Sequence, residues 1–313
     1  MSFSTVIINT LLLLALAVPG YLLTKLKMAD GSAVRTLSNL LLYVCMPFMV
    51  LKSFLTLRYE EALMVNILYS LLFSVLGTVA IMAVTLVVFR RKDVAGQKIY
   101  QLATMFSNCG FFGLPFLAAV FPDNGYVILY ASMYIVVFNL LTWTLGVYML
   151  TGDKKYVSVK KALVNPALIF SVIGFVLFVL KVSVPEAVIT FSDFWSTMTS
   201  PVAMTVTGMR LAEMPLKALF SDWRAFVVSA LRLLAAPALM WGILMIFGVS
   251  DADLFNAMVI SAAMPVAATT VVFAEMFTDD SSAAVTTMLL SSVLCVVSIP
   301  IVAMIMLIRY EKS

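Results

Sequence analysis

The chain has 313 residues, of which 63% are apolar and 12% are charged, and its mean hydropathy is +1.08. A water-soluble protein of this length cannot bury so much apolar surface, so the composition predicts an all-α integral membrane protein. The net charge is only +4, which indicates no nucleic-acid partner, and the absence of histidine excludes a Ser-His-Asp triad and a histidine-ligated metal.

Ten apolar segments, each long enough to span a bilayer as a helix, follow one another along the chain. The connections are too short for a soluble domain, and Cys45, Cys109 and Cys295 lie inside the segments without a metal-binding spacing. We therefore expect no cofactor, no metal and no enzymatic activity. The segments cover 4–23, 37–56, 63–89, 99–121 and 126–150 in the first half (1–150), and 166–183, 189–209, 223–248, 254–277 and 283–308 in the second half (166–308).

Basic residues are distributed unevenly among the connections. Fourteen of the twenty Lys and Arg residues lie in or beside the connections after segments 1, 3, 5 and 7. Because basic connections stay on the cytoplasmic side, this distribution predicts a multi-pass protein of the cell membrane with both termini extracytoplasmic.

Prolines recur at similar positions in the two halves. Pro47 in segment 2 and Pro201 in segment 7 are 154 residues apart, and Pro115 in segment 4 and Pro265 in segment 9 are 150 apart. Five segments per half would invert the second half in the membrane, so the pattern predicts two inverted five-helix repeats. Coincidence is the alternative, since the chain has eleven prolines. Pro47 and Pro201 are expected to bend helices that support the site.

Segment 4 is interrupted by Asn108, Gly110, Gly113 and Pro115, with Cys109 next to the asparagine. Proline removes a hydrogen-bond donor, and glycine tolerates an unwound backbone. Paired interruptions of this kind mark the binding site of a secondary transporter, because unwound backbone at membrane depth needs protein or a water-filled cavity around it. We therefore predict substrate contacts here. Alternatively, the segment is a kinked packing helix in which Asn108 is a buried cap.

Segment 9 has a matching interruption, where Pro265 is followed by Val266, Ala267, Thr269 and Thr270. The small residues allow close approach of another backbone, and the threonine hydroxyls can bond to a substrate or, more commonly, back to their own helix. Together the two interruptions predict crossing broken helices. Their half-helix N-termini, with exposed N–H groups, favour an anionic ligand.

Two charged residues are predicted to lie within the membrane, Arg232 in segment 8 and Glu275 in segment 9. They can form an intramembrane charge pair between the two segments, or each can have a purely structural role. No acidic residue falls near the middle of the membrane, which weakens the case for a carboxylate proton relay or a carboxylate-lined sodium site.

Four motifs, in order along the chain, resemble those of the auxin efflux carrier family, which includes the plant PIN proteins and many bacterial carriers. The resemblance covers essentially the whole chain. The matching stretches are 43–47, 108–115, 201–203 with 208–211, and 263–265 with 272–277.

This resemblance implies a ten-helix, inverted-repeat fold in which helices 4 and 9 are broken and cross each other. It also implies a scaffold domain of helices 1, 2, 6 and 7, a transport domain of helices 3–5 and 8–10, elevator-type alternating access, and a homodimer in the lipid bilayer. Family members export small organic anions, including auxin in plants and malate- or malonate-type acids in bacteria. Asn108 therefore carries over as a contact of the ligand carboxylate.

The chain departs from the plant members in two places. Val266 and Ala267 replace a polar Gln-Gly pair after the proline, and the link between segments 5 and 6 covers only residues 151–165. Both departures favour a compact bacterial type of carrier over a transporter of auxin itself. Two other classes stay open: a sodium-coupled organic-anion symporter of the bile-acid type, which shares the crossing architecture, and an anion channel.

Overall fold

In the computed structural model, the protein consists of helices joined by short connections. The structure describes residues 8, 11–57, 61–90, 96–122, 124–213, 220, 222–278 and 281–310. These residues form no β-strand, and the extended pairing among them is an isolated bridge between Ser107 and Val266. The all-α prediction is therefore confirmed, whereas the ten-helix inverted repeat stays a prediction.

The described part of the first half forms five helices, the fourth of which is broken in two. They are α1 (Leu11–Lys25), α2 (Gly31–Thr56), α3 (Glu61–Val88), α4a (Gln97–Met105), α4b (Cys109–Val120) and α5 (Gly125–Thr151). Capping side chains fix where two of them begin. The Asp30 carboxylate accepts hydrogen bonds from the N–H groups of Ser32 and Ala33 at the start of α2, and Asn124 caps α5 in the same way.

The described part of the second half also forms five helices, and its fourth helix is again broken. They are α6 (Pro166–Val179), α7 (Glu186–Ala212), α8 (Trp223–Ile246), α9a (Ala252–Ala263), α9b (Ala268–Phe277) and α10 (Ser282–Tyr310). A 3₁₀ turn, Lys154–Tyr156, and a short helix, Val159–Leu163, connect α5 to α6. The side chains of Asn165, Asp222 and Asp251 cap α6, α8 and α9a.

Within the described ranges, five helices are long and apolar enough to cross a membrane on their own: α2, α3, α5, α8 and α10. A sixth crossing results if Lys154–Lys161 and α6, bent by 42° at the break between them, form one span. The 27-residue α7 is as long but more polar, since it carries Glu186, Asp193 and Arg210. The predicted multi-pass membrane character is confirmed, and the exact number of spans stays a prediction.

The helices pack in two sets. In the first set, α7 packs along α1 and α2, and α6 packs on α2. In the second set, α5 packs on α3 and α9a, α8 packs on α3, α9a and α10, and α4a packs on α3 and α10. The two sets meet where α2 contacts α5 and where α7 contacts α4b. Both broken helices thus belong mainly to the second set.

Close backbone packing joins α1 to α7. A Cβ atom added at Gly20 would lie 2.0 Å from the carbonyl oxygen of Thr205, and one added at Gly208 would lie 1.8 Å from that of Ala17. A larger residue at either glycine would force the two helices apart. Glycines facing each other in this way bring two membrane helices into direct backbone contact.

Wide π-helical turns precede three prolines. The turns Leu41–Cys45, Cys109–Gly113 and Leu231–Ala235 lie just before Pro47, Pro115 and Pro237, respectively. A proline ring clashes with the carbonyl group four residues back, and the wider turn moves that carbonyl aside. α2 therefore continues through Pro47, and α7 also continues through Pro201. Next to Pro201, the Ser200 hydroxyl donates to the Pro115 carbonyl oxygen (3.1 Å), which ties α7 to α4b.

Candidate functional site

α4 is interrupted at residues 106–108. The Phe106 backbone is extended (φ −108°, ψ 118°), and α4b begins directly after Asn108. Asn108 occupies the N-cap position, yet its side chain makes neither a capping hydrogen bond nor any other hydrogen bond to a described residue. The half-buried Asn108 amide is thus not the buried cap of the alternative interpretation.

α9 is interrupted at residues 264–267. The backbones of Met264 (φ −67°, ψ 151°) and Ala267 (φ −63°, ψ 134°) are extended, and Pro265 between them has no N–H group with which to continue the helix. The interruptions that the sequence predicts in segments 4 and 9 are therefore both present.

The two interruptions cross as a short antiparallel pair. The Asn108 N–H donates to the Pro265 carbonyl oxygen (2.7 Å), and the Ala267 N–H donates to the Phe106 carbonyl oxygen (3.0 Å). The Val266 N–H between them donates to the Oγ of Ser291 in α10 (3.0 Å). These bonds satisfy backbone groups that the interruptions remove from the helices, as membrane depth requires.

Gly110 and Gly113 lie in the π-helical turn of α4b, and neither has a positive φ angle. This corrects the expectation that they form the unwound backbone. A Cβ atom added at Gly113 would lie 2.9 Å from Met264 Cγ, and one added at Gly110 would lie 3.1 Å from Met46 Cε. Methionines of α9 and α2 thus pack closely against both glycines of α4b.

Arg232 lies against the C-terminal ends of α4a and α9a, with 1% of its surface exposed. Its Nη1 donates to the carbonyl oxygens of Thr104 and Met105 (3.0 Å each), and its Nη2 donates to that of Ala262. These carbonyls belong to last helical turns, where intrahelical donors are missing. One guanidinium therefore binds both half-helices.

The expected charge pair between Arg232 and Glu275 is not formed. Glu275 is exposed in α9b, and neither ion pair found among the described residues includes it or Arg232. Instead, Glu275 lies within Coulombic range of Arg210 in α7. The pair is absent because the carbonyl groups freed by the two interruptions already bind the guanidinium.

Several buried hydroxyl groups near the crossing have no hydrogen-bond partner in the described part of the chain. Thr269 and Thr270 are two of them, so neither bonds back to its own helix. Buried polar groups are usually paired with protein or water, and unpaired ones indicate a position where a ligand or water can bind. The hydroxyls are those of Ser107, Ser261, Thr269 and Thr270.

A cavity of about 860 Å³ opens beside the crossing. It meets the first turns of α4b and α9b and extends to the α5–α6 connection and the end of α7. Four of the predicted site residues line it: Asn108, Gly110, Ala267 and Thr269. Six others are buried and do not line it: Cys109, Gly113, Pro115, Pro265, Val266 and Thr270.

Three cations line the cavity, Lys160, Lys161 and Arg210, and no Asp or Glu is among its described lining residues. The Lys161 ammonium lies 5.1 Å from the ring centre of Trp143, which packs edge-on against Phe273. The sequence does not predict this lining. Basic residues between apolar segments indicate only orientation, because the path of the connection over the cavity depends on the tertiary fold.

The lining also contains asparagine amides and several serine and threonine hydroxyls, and the asparagines differ in what they bind. Asn165 donates from Nδ2 to the Oδ1 of Asn139 (3.3 Å), and its own Oδ1 caps α6. The Asn108 side chain has no such partner in the described part of the chain. Asn108 therefore combines a place at the crossing with an amide that is available to a ligand.

A family model described as "Membrane transport protein" matches residues 5–303 of the chain. The match includes both interrupted helices and the residues that line the cavity. No curated protein matches the chain. The chain belongs to this membrane transport protein family, the auxin efflux carrier or PIN-like family, and is a multi-pass membrane transporter.

Proposed function

We propose that the protein is a secondary efflux carrier that moves a small organic anion outward across the cell membrane by elevator-type alternating access around the crossing of α4 and α9. One observation carries this proposal. The cavity ends on the first turns of α4b and α9b and is lined by three cations, with no carboxylate among the described lining residues. The substrate class comprises dicarboxylates of the malonate or malate type and auxin-like acids.

The helix ends at the crossing favour an anion electrostatically. The first turn of a helix exposes N–H groups without intrahelical acceptors and carries a partial positive charge, which stabilises an anion near it. Two such turns, from α4b and α9b, face one cavity, and the unpaired amide of Asn108 lies beside them. A carboxylate placed there would accept hydrogen bonds from the backbone and from the Asn108 amide.

The rest of the cavity supports binding of the organic part of the substrate. Its wall is largely apolar and includes the aromatic side chains of Phe111, Phe138, Trp143 and Phe273. Pockets of a few hundred to about 1,000 Å³ with mostly apolar walls and a few polar groups are typical of small-molecule sites. Lys161, farther along the lining, offers a cation for a second carboxylate.

The proposed orientation and movement follow from the same features. The cavity reaches the basic connections after α5 and α7, which the distribution of Lys and Arg assigns to the cytoplasm. The described conformation would then be open to the cytoplasm. The two packing sets support a scaffold of α1, α2, α6 and α7 and a moving transport domain of α3–α5 and α8–α10, arranged as inverted repeats. The homodimer stays a prediction.

Transport by the purified protein in proteoliposomes tests the proposal. Malonate, malate, other short carboxylates and indole-3-acetate would each be offered as labelled substrates, with matched unlabelled acid inside the vesicles to measure counterflow. Saturable uptake with counterflow is expected for at least one acid, and Asn108→Ala should abolish most of it. Flux that neither saturates nor shows counterflow would indicate a channel. Unchanged KM and kcat in a folded Asn108→Ala variant would remove Asn108 from the site.

A further inference from the structure

Arg232 is a charged side chain enclosed in the helix bundle, and it lies in the π-helical turn Leu231–Ala235 of α8. Pro237 follows this turn and accounts for it, because the wider turn relieves the clash with the preceding carbonyl. Turns of this kind change the direction of their side chains and are frequent at functional sites. Here the turn lets Arg232 extend from α8 to the ends of two other helices.

The guanidinium binds two half-helices that are far apart in sequence. Its bonds to Thr104 and Met105 are made at the end of α4a, and its bond to Ala262 is made at the end of α9a. The C-terminal end of a helix carries a partial negative charge and carbonyl groups without donors. A single cation therefore neutralises both ends at once.

No carboxylate compensates this cation within the part of the chain that the structure describes. The ionisable side chains that face Arg232 are Tyr134 and Cys109, a phenol and a thiol. A buried charge is costly unless hydrogen bonds and opposite charge stabilise it. At Arg232, backbone carbonyls and helix dipoles have to provide that stabilisation.

Short backbone links connect the two half-helix ends at Arg232 to the ends that face the cavity. Residues 106–108 alone separate α4a from α4b, and residues 264–267 separate α9a from α9b. The hydrogen bonds from Asn108 to Pro265 and from Ala267 to Phe106 join these two links to each other. A shift of either C-terminal end would therefore move the first turns of α4b and α9b.

In carriers with broken helices, freed carbonyls and half-helix C-terminal ends coordinate the coupling Na⁺ or H⁺. We propose that Arg232 is a tethered cation that takes the place of such an ion and, by holding α4a and α9a, positions the opposite helix ends for an anion. Transport then needs no cation at the crossing. The positioning of an anion rests on the proposed function, whereas the replacement of the ion does not.

Thermal unfolding of the purified protein tests, without any substrate, whether Arg232 takes the place of a coupling ion. Arg232→Ala should lower Tm, and millimolar guanidinium chloride, far below denaturing concentrations, should restore much of it in a saturable way by binding to the folded state. Arg224→Ala is the matched control, since Arg224 lies on the same helix but stacks on Trp223. Guanidinium should not raise the Tm of the Arg224→Ala variant. The wild-type Tm should be the same in sodium, potassium and choline chloride at equal concentration.

Transport assays test whether Arg232 positions the first turns of α4b and α9b for an anion. Wild-type uptake should have the same rate with and without Na⁺. Arg232→Lys, which keeps the charge, should retain uptake, whereas Arg232→Ala should raise KM by about tenfold or more, a factor that corresponds to about 1.4 kcal/mol. Guanidinium should lower that KM again. A purely structural arginine would reduce the amount of folded protein but leave the KM of the remainder unchanged.

The outcomes separate the two proposals. Recovery of Tm by guanidinium in Arg232→Ala, together with no anion transport by the wild type, would support the tethered cation and contradict the proposed function. A wild-type Tm or uptake rate that rises specifically with Na⁺ would overturn the tethered cation. The same holds for an Arg232→Ala variant with a wild-type Tm. If Arg232→Ala does not fold, the sodium series on the wild type and the uptake by Arg232→Lys still decide the question.

Discussion

The crossing of α4 and α9 has two faces, and they differ in what neutralises them. On one face, the C-terminal ends of α4a and α9a are sealed from solvent and bound by Arg232. On the other face, the first turns of α4b and α9b open onto the cavity, and the Asn108 side chain has no hydrogen-bond partner among the residues that the structure describes. Arg232 therefore binds the negative helix ends, whereas the positive helix ends stay accessible from the cavity, which agrees with the proposed transport of an anion.

The sealed face should be the more important one for stability. Replacing Arg232 by Met removes three hydrogen bonds from a charged donor and leaves carbonyls unpaired, so the free energy of unfolding should fall by about 3 kcal/mol or more. Unfolding in detergent, followed by circular dichroism, measures the change. A variant as stable as the wild type would show that the carbonyls do not need the guanidinium.

The open face should matter for transport and hardly for stability. Asn108→Ala should change the free energy of unfolding by less than about 0.5 kcal/mol, because the side chain makes no hydrogen bond to a described residue that could be lost. Uptake should nevertheless fall about tenfold or more. Asn165→Ala is the matched control within the same cavity, and it should cost about 1 kcal/mol of stability through the lost cap of α6. The reverse pattern would assign the binding role to Asn165.

The link between α9a and α9b is attached to α10 by the hydrogen bond from the Val266 N–H to the Ser291 hydroxyl. Ser291→Ala leaves this buried N–H without an acceptor and should lower the free energy of unfolding by about 1–2 kcal/mol. Ser292→Ala is the control, because that hydroxyl bonds only to Met288 of its own helix. Equal thermal stability of the two variants would contradict a special role for Ser291.

The cations at the cavity should have the smallest effect. Lys161→Ala should raise the KM for the transported anion by a few-fold at low salt, since it weakens attraction into the cavity. The difference from wild type should shrink at about 0.15 M salt, where the screening length is about 8 Å. Lys154→Ala, in the same connection but outside the lining, should leave KM unchanged. An equal rise of KM in both variants would show that the general surface charge, and not a cation at the cavity, attracts the anion.

The positions of the interruptions could be predicted from sequence, and the roles of some residues in them could not. Pro115 and Pro265 identify the two helices because a proline inside an apolar segment has a direct local consequence. Gly110 and Gly113 suggest unwinding, yet methionines from α2 and α9 explain them. Such contacts depend on which helices become neighbours, and the sequence of one segment does not contain that information.

Arg232 illustrates the same limit. A charge in an apolar segment suggests a charged partner, and Glu275 is the obvious one by sequence. The actual partners are backbone carbonyls 128, 127 and 30 residues away, which carry no signature of their own. Pro237, which follows Arg232 closely, is the one local signal of a wide turn that could redirect the side chain.

Carboxylate binding in sodium-free buffer tests directly whether the crossing binds an organic anion at Asn108 without a sodium ion. The purified wild type and Asn108→Ala would be titrated with malonate, malate and indole-3-acetate in choline chloride, and the rise in Tm would be measured. We expect a saturable rise in Tm for at least one acid in the wild type, and the loss of this rise in an equally stable Asn108→Ala variant. Stabilisation that appears only with Na⁺, or that survives Asn108→Ala unchanged, would contradict this expectation.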